Sequence, residues 1–193
     1  MRVIAGRFGG RRLTAPRGSA TRPTADRVRE ALFSMLGPLD GQTALDLFAG
    51  TGALGIEALS RGAARVVFVE RDPNALAALR ANLASLQLST PLAQVRAFDA
   101  LSVLERASIG GERYELIFLD PPYQGAEALA PKLSQALPVL LSPGGRVVVE
   151  SDRRMPLQLP LPLWRERRYG DTSIRIHRND EPSQEDSRLS RVL

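Results

Sequence analysis

Residues 43–62 read TALDLFAGTGALGIEALSRG. An apolar-rich run (43–48) meets a cluster of glycines, and a helical apolar pattern (53–62) begins beyond it; strand, tight turn and helix is the reading that fits all three parts. Gly50, Gly52 and Gly55 have the G-x-G-x-x-G spacing, in which missing side chains let the backbone turn sharply and approach a ligand at a helix N-terminus. Here the motif lies between a predicted strand and a predicted helix, which is the context it requires.

Downstream the alternation repeats. RVVFVE (65–70), LAQVRAF (92–98), ELIFLD (115–120) and RVVVES (146–151) are predicted strands. Between them lie predicted helices at 73–87, 100–107 and 125–137, the first with Asp72 as its cap and Pro73 at its first position. This order predicts a mostly parallel sheet with helices on both faces. The rule breaks near the C-terminus, where WRERRYG and TSIRIHR flank Gly170-Asp171 and read as an antiparallel hairpin. Upstream, residues 2–15 (RVIAGRFGGRRLTA) read as a small hairpin turning at Gly9-Gly10. Residues 24–36 read as an amphipathic helix with Thr24 as cap and Val28, Leu32, Met35 and Leu36 on one face.

With 193 residues, 44% of them hydrophobic, the chain fits one core. No apolar stretch approaches the roughly 18 residues of a membrane span, and MRVIAGRFGG has glycines where a signal peptide carries its apolar segment. A soluble, cytoplasmic protein is the expectation. The absence of cysteine excludes disulfides, thiolate metal sites and cysteine nucleophiles, and a single histidine, His177, excludes a histidine-rich metal site. No metal is expected; the chemistry is left to carboxylates, hydroxyls, arginines and a bound cofactor.

The formal charge of +5 is unevenly placed. Residues 1–30 hold Arg2, Arg7, Arg11, Arg12, Arg17, Arg22, Arg27 and Arg29 against Asp26 and Glu30, so the rest of the chain is slightly acidic. With Lys132 the only lysine, coding bias accounts for the residue type but not for the clustering. Guanidinium forks match phosphate oxygens bidentately, and the cluster predicts a polyanionic partner, nucleic acid, rather than a merely solvated face.

The glycine loop admits two ligands, a nicotinamide dinucleotide or S-adenosylmethionine, since both carry an adenosine. Glu70 ends the second strand, where a carboxylate can accept ribose hydroxyls. Asp46, just before the glycines, would repel a pyrophosphate but suits the ammonium of a methionyl group. The chain also supplies no second lobe for a hydride acceptor, so the sulfonium cofactor is favoured. Asp99 is a candidate acceptor for the adenine amino group, or a simple cap for the helix that follows.

Residues 116–123, LIFLDPPY, put Asp120 at the carboxyl end of the fourth strand, facing the same crevice. The residue before a proline is pushed to extended backbone, and prolines have no N–H, so Pro121 and Pro122 make a stiff cluster of acceptors around Asp120. Tyr123 can stack on a flat heterocycle. Such a pocket suits an exocyclic amino group on a base, whose lone pair is delocalised until acceptors on its N–H bonds favour the pyramidal, attacking form. A carboxylate matches the adjacent N1–H and N2–H donors of guanine better than the mixed edge of adenine.

DLFAGTGALG, Glu70, Asp99 and DPPY, in this order, resemble class I S-adenosylmethionine-dependent methyltransferases that act on amino groups. More narrowly, IAGRFGGRRL, TRPTADRVREALFSML (21–36) and RYGDT resemble the bacterial 16S ribosomal RNA guanine-N2 methyltransferase D family over residues 2–178. Ser34 stands where that family frequently has Asn. The resemblance implies a Rossmann-like α/β fold with a seven-stranded, mostly parallel sheet, a C-terminal antiparallel hairpin and a small basic N-terminal hairpin and helix. The chain is expected to divide into 1–38 for RNA and cofactor contacts and a methyltransferase domain over 39–178, while the polar, aperiodic tail over 179–193 is expected to be disordered. The resemblance implies methylation of the N2 of one guanine in 16S rRNA within the assembled or assembling small subunit, by a monomer. Asp120, Pro121, Pro122 and Tyr123 would form the amine pocket. Arg22, Pro23, Thr24, Asp46, Phe48, Gly50, Thr51, Gly52, Glu70, Arg71, Asp99 and Ala100 would line the cofactor site. Arg2, Arg7, Arg11, Arg12, Arg17, Arg27 and Arg29 are the candidate RNA contacts. The competing readings are an adenine-N6 methyltransferase on DNA or RNA, a non-catalytic RNA-binding assembly factor, and a nicotinamide oxidoreductase.

Overall fold

A computed structural model describes residues 1–15, 26–121 and 126–179. Five parallel strands form its centre: β1 (Thr43–Asp46), β2 (Arg65–Val69), β3 (Ala93–Arg96), β4 (Tyr114–Leu119) and β5 (Leu141–Asp152). The hairpin of β6 (Leu163–Tyr169) and β7 (Thr172–Arg178) adds antiparallel to β5, giving the order β3-β2-β1-β4-β5-β7-β6. The chain winds outward from β1 to β3 and then returns to place β4 on the other side of β1. That reversal between β1 and β4 is the switch point at which open α/β sheets bind ligands, outside the carboxyl ends of the strands.

Alternate residues of the central strands feed two cores. Ala44, Val66, Phe68, Leu116, Phe118 and Val148 face one side, against α1 (Asp26–Leu36), α2 (Ala53–Ser60) and α3 (Pro73–Ser85). Leu45, Val67, Val69, Ile117, Val147 and Val149 face the other, against α4 (Ala100–Ile109) and α5 (Ala126–Leu140). Strands buried on both faces read as near-continuous apolar runs, as RVVFV and YELIFL do. Asp72 caps α3 by accepting from Ala75 N at 2.8 Å, and Asp99 caps α4 through Leu101 N at 3.1 Å.

The N-terminal limbs run antiparallel, but as an arm rather than as two strands. A single bridge, Arg2 to Arg12, joins them; the chain reverses at Gly9-Gly10 as expected, with Arg11 N donating to Phe8 O at 3.1 Å, and a 3-10 turn at Gly6–Phe8 precedes that reversal. Polar groups on α2 and α3 take the place of a strand ladder. Glu57 accepts from Ile4 N and Ala5 N, Ser60 Oγ accepts from Phe8 N and donates to Ala5 O, and the Asn82 amide pairs with both N and O of Thr14. Gly6 sits so close to α2 that a Cβ would lie 1.9 Å from Ser60 O, at a φ of +80. Thr24, the expected cap of α1, and residues 180–193 of the tail lie outside the described residues. Among the described residues no helix is long and apolar enough to cross a membrane.

Candidate active site

Glycines 50, 52 and 55 do different jobs. A Cβ on Gly52 would meet Leu79 at 2.4 Å and one on Gly55 would meet Phe68 at 2.3 Å, so these two glycines let α2 pack on β2 and α3. Gly50 has nothing within 4 Å of its Cβ position, and this open side is the cradle of the loop. Glu70 closes the loop from the neighbouring strand: Oε2 accepts from Gly50 N at 2.8 Å, while Oε1 accepts from Arg71 N and Asp72 N, both at 2.8 Å. Three N–H bonds occupy all but about one of the carboxylate's four acceptor positions. One ribose hydroxyl can use that position; the expected grip on two requires the Gly50 bond to be shared.

Asp46 is buried at the end of β1 and is tied to the start of α2, accepting from Gly55 N at 3.0 Å. Burial pushes its pKa from 3.8 up to about 7, against the Gly55 bond, and the charge of Glu70 adds to the rise. Asp99 does more than cap α4, for its Oδ1 also accepts from Arg71 Nη1 at 3.1 Å, and Ala100 is the first residue of that helix. Thr51 O accepts from Asn82 Nδ2 at 3.0 Å, and Phe48 packs half-buried toward the α4–α5 core. Asp46, Thr51 and Glu70 are thus each tied by separate hydrogen bonds to the glycine loop or the helices beside it, and Arg71 and Asp99 bond each other nearby.

Asp120 follows the last residue of β4, half-buried, and Pro121 after it is buried. Leu119 pairs with Val149 in register, so the next positions, Asp120 and Glu150, are neighbours, on strands about 5 Å apart. Alternation turns Asp46, Asp120 and Glu150 to the same side of the sheet, that of α1 and α2, at the carboxyl ends of β1, β4 and β5. Burial first, then the charges of Glu150 and Asp46, push the Asp120 carboxyl well above its ordinary value. Glu150, only 7% exposed, is a buried acid acting on Asp120 that the sequence reading did not name. Its signal was an acid closing a valine run, as Asp46 and Asp120 close theirs. Pro122, Tyr123, Arg22, Pro23 and Thr24 lie outside the described residues.

Of the candidate RNA contacts, Arg7, Arg11, Arg12 and Arg27 are exposed, and Arg2 is exposed beside Asp26 at 3.5 Å. Arg17 lies outside the described residues. Arg29 is a correction. Its side chain is fully buried, donating to Arg2 O and to Asp26 Oδ1, with Glu57 Oε2 at 4.0 Å from Nε. It is a structural cation under the arm and cannot reach a phosphate. The spacing of Arg29, Leu32, Phe33 and Leu36, all buried, is the helical stripe that could have revealed it.

The strand order, its switch point and the glycine loop between β1 and α2 give the fold of class I S-adenosylmethionine-dependent methyltransferases. The structure called "Putative methyltransferase yhhF" from Escherichia coli superposes with a TM-score of 0.80 and 35% identity, covering 93% of this chain and 98% of that one. Within that class, the chain belongs to the family described as conserved hypothetical protein 95, whose model matches residues 1–178. The "Ribosomal RNA small subunit methyltransferase D" of Haemophilus influenzae is 36% identical over 187 residues, 93% of this chain and 94% of that protein. The "Putative rRNA methyltransferase YlbH" of Bacillus subtilis is 43% identical over 184 residues, 92% and 98%.

Proposed function

We propose that this protein methylates the exocyclic N2 amino group of a guanine in the small-subunit ribosomal RNA, using S-adenosylmethionine. The observation that carries the reading is the pairing of Asp120 with Glu150 beside Asp46 and the Gly50 cradle: acceptors for an amine next to a site suited to a cationic cofactor. Family membership and the names of the relatives support ribosomal RNA as substrate. The residues present fit the cofactor, since Gly50 leaves an open cradle, Glu70 retains an acceptor position, and Asp46 offers a carboxylate to an ammonium.

When bound, the cofactor supplies an electrophilic methyl group. Asp120 accepts from the amine N–H, which localises the nitrogen lone pair and aims it; such positioning lowers a barrier by several kcal/mol. The nitrogen becomes acidic once alkylated, and its proton passes to the Asp120 carboxylate. Desolvation and the Glu150 charge make that carboxylate a better proton acceptor than one in water. No strong base is needed beforehand. In its ionised form Asp120 is acceptor-only, which favours guanine, whose N1–H and N2–H face it together. The exposed arginines of the arm hold RNA phosphates, and the protein acts as a cytoplasmic monomer on the assembled or assembling subunit.

The test is to incubate the protein and labelled cofactor with unmodified small subunits and with naked RNA, map the label, and digest the product to nucleosides. N2-methylguanosine is expected; N6-methyladenosine would overturn the choice of base, and an unlabelled RNA would overturn the activity.

A further inference from the structure

At the amino end of the sheet, away from the crevice, lies a cavity of about 360 Å³. Its lining includes Arg146, Arg178, Trp164, Gln42, Gly144 and Glu115. A bulge builds it: between the pairs Tyr114↔Leu141 and Leu116↔Arg146, β5 spends three more residues than β4, and Pro143-Gly144-Gly145 swing out to form one wall. The returning β7 brings Arg178 alongside Arg146.

Two guanidiniums line it, Arg146 and Arg178, and the charge of a third, Arg165, acts on Arg146 from nearby. Arg146 is half-buried and donates to Leu36 O at 2.6 Å and to Gln42 Oε1 at 2.8 Å. Arg165 donates to Met35 O at 2.7 Å and stacks 4.0 Å over the ring of Trp164. Burial and the charges of Arg178 and Arg165 draw the Arg146 pKa below its ordinary value, which marks the crowding of like charge. The acid in the lining, Glu115, is already engaged by Thr43 N, Thr43 Oγ1 and Ser142 Oγ. Trp164 itself is 39% exposed on the edge strand β6.

We propose that this cavity is a second RNA site, taking a phosphate on Arg146 and Arg178 and the flanking unpaired base on Trp164. The inference rests on the reading of the protein as an RNA methyltransferase and deepens it. Guanidinium groups beside an exposed indole are the combination that holds single-stranded nucleic acid, phosphate by charge and base by stacking, without reading sequence. The site is distinct from the target-guanine pocket. Arg146 and Glu150 are separated by four residues of β5, about 13 Å of strand, and lie toward opposite ends of the sheet. The bound nucleotide is therefore a remote segment of the same RNA, and its role is to set affinity rather than rate.

Trp164 is the only tryptophan in the chain, so its fluorescence reports occupancy of this site. The full-length protein is titrated, without cofactor, with a single-stranded oligoribonucleotide, inorganic phosphate and a polyglutamate peptide. The oligoribonucleotide is expected to quench Trp164, with the quench reversed by salt and weakened about tenfold in Arg178→Gln, a contact whose loss lowers the salt slope by about one. Quenching by polyglutamate instead, or by phosphate as effectively as by the oligoribonucleotide, overturns the proposal, as does no quench at all. In turnover, Trp164→Ala is expected to raise KM for the RNA substrate with kcat and cofactor affinity unchanged, and Trp164→Phe to restore most of the loss; an unchanged KM overturns the proposal. Methyl transfer to RNA with a silent Trp164 defeats this inference alone, whereas absence of methyl transfer with a quenched Trp164 defeats only the activity.

Discussion

The two ends of the parallel sheet carry opposite chemistry. At the carboxyl ends, burial and mutual repulsion drive Asp46 and Asp120 toward the protonated form. Elsewhere the carboxylates are held down: Glu115 by Thr43 and Ser142, Glu112 by Tyr114 and Arg96, Glu166 by Arg175 and Ser173. At the amino ends, Arg146 and Arg165 are anchored on the last carbonyls of α1. Glu112, Glu115 and Glu166 are held ionised by donors that the fold supplies, whereas burial outweighs the Gly55 bond at Asp46 and raises Asp120. Perturbed groups gathered in one cleft mark a working site.

The contrast breaks most readily at Asp120. Asp120→Ala is expected to cut methyl transfer to unmodified small subunits by at least about 10²-fold, the scale of losing a positioned acid–base group, while calorimetric affinity for the cofactor stays within about twofold. Near-normal labelling of RNA by this variant would remove Asp120 from the chemistry. Arg29→Ala tests the structural side: it strips Arg2 O and Asp26 of their buried donor while Arg61 stays on Glu57 at 2.7 Å, a loss expected to lower stability by about 1–3 kcal/mol in a denaturant titration, and the loss should appear with cofactor absent.

Asp46 connects stability to binding through its proton. Its folded pKa lies above its unfolded one, so the ligand-free protein loses stability from this group as pH rises from about 4 to about 7. Affinity for a cofactor carrying an ammonium should move the other way, weakening by up to about tenfold for each pH unit below 7. Calorimetry from pH 5.5 to 8 would show it, and a flat profile would detach Asp46 from the ammonium. The smallest effect is expected from Glu150→Gln. Removing the like charge lowers the Asp120 pKa, so the acid side of the rate profile shifts to lower pH with the plateau little changed; an unshifted profile would leave Glu150 a structural acid.

Much of this was legible in the residues. The glycine loop, both helix caps and the terminal hairpin follow from local patterns, because turn and cap chemistry is local. The Asp120–Glu150 pair was not, since it exists only once β5 is known to lie beside β4. Nor was the amino-end cavity, whose Arg146 and Arg178 meet through the antiparallel return of β7. Arg29 read as an RNA contact on an amphipathic helix; the arm that covers it is pinned to Glu57 and Arg29 by polar bonds, which the sequence pattern does not announce.

Asn82 holds Thr14 of the arm by two hydrogen bonds and, with the same amide, Thr51 of the glycine loop. The arm proposed to meet the RNA and the loop proposed to cradle the cofactor thus share one fastener. By reciprocity, any effect that one ligand has through this fastener on the affinity of the other is returned by the same factor.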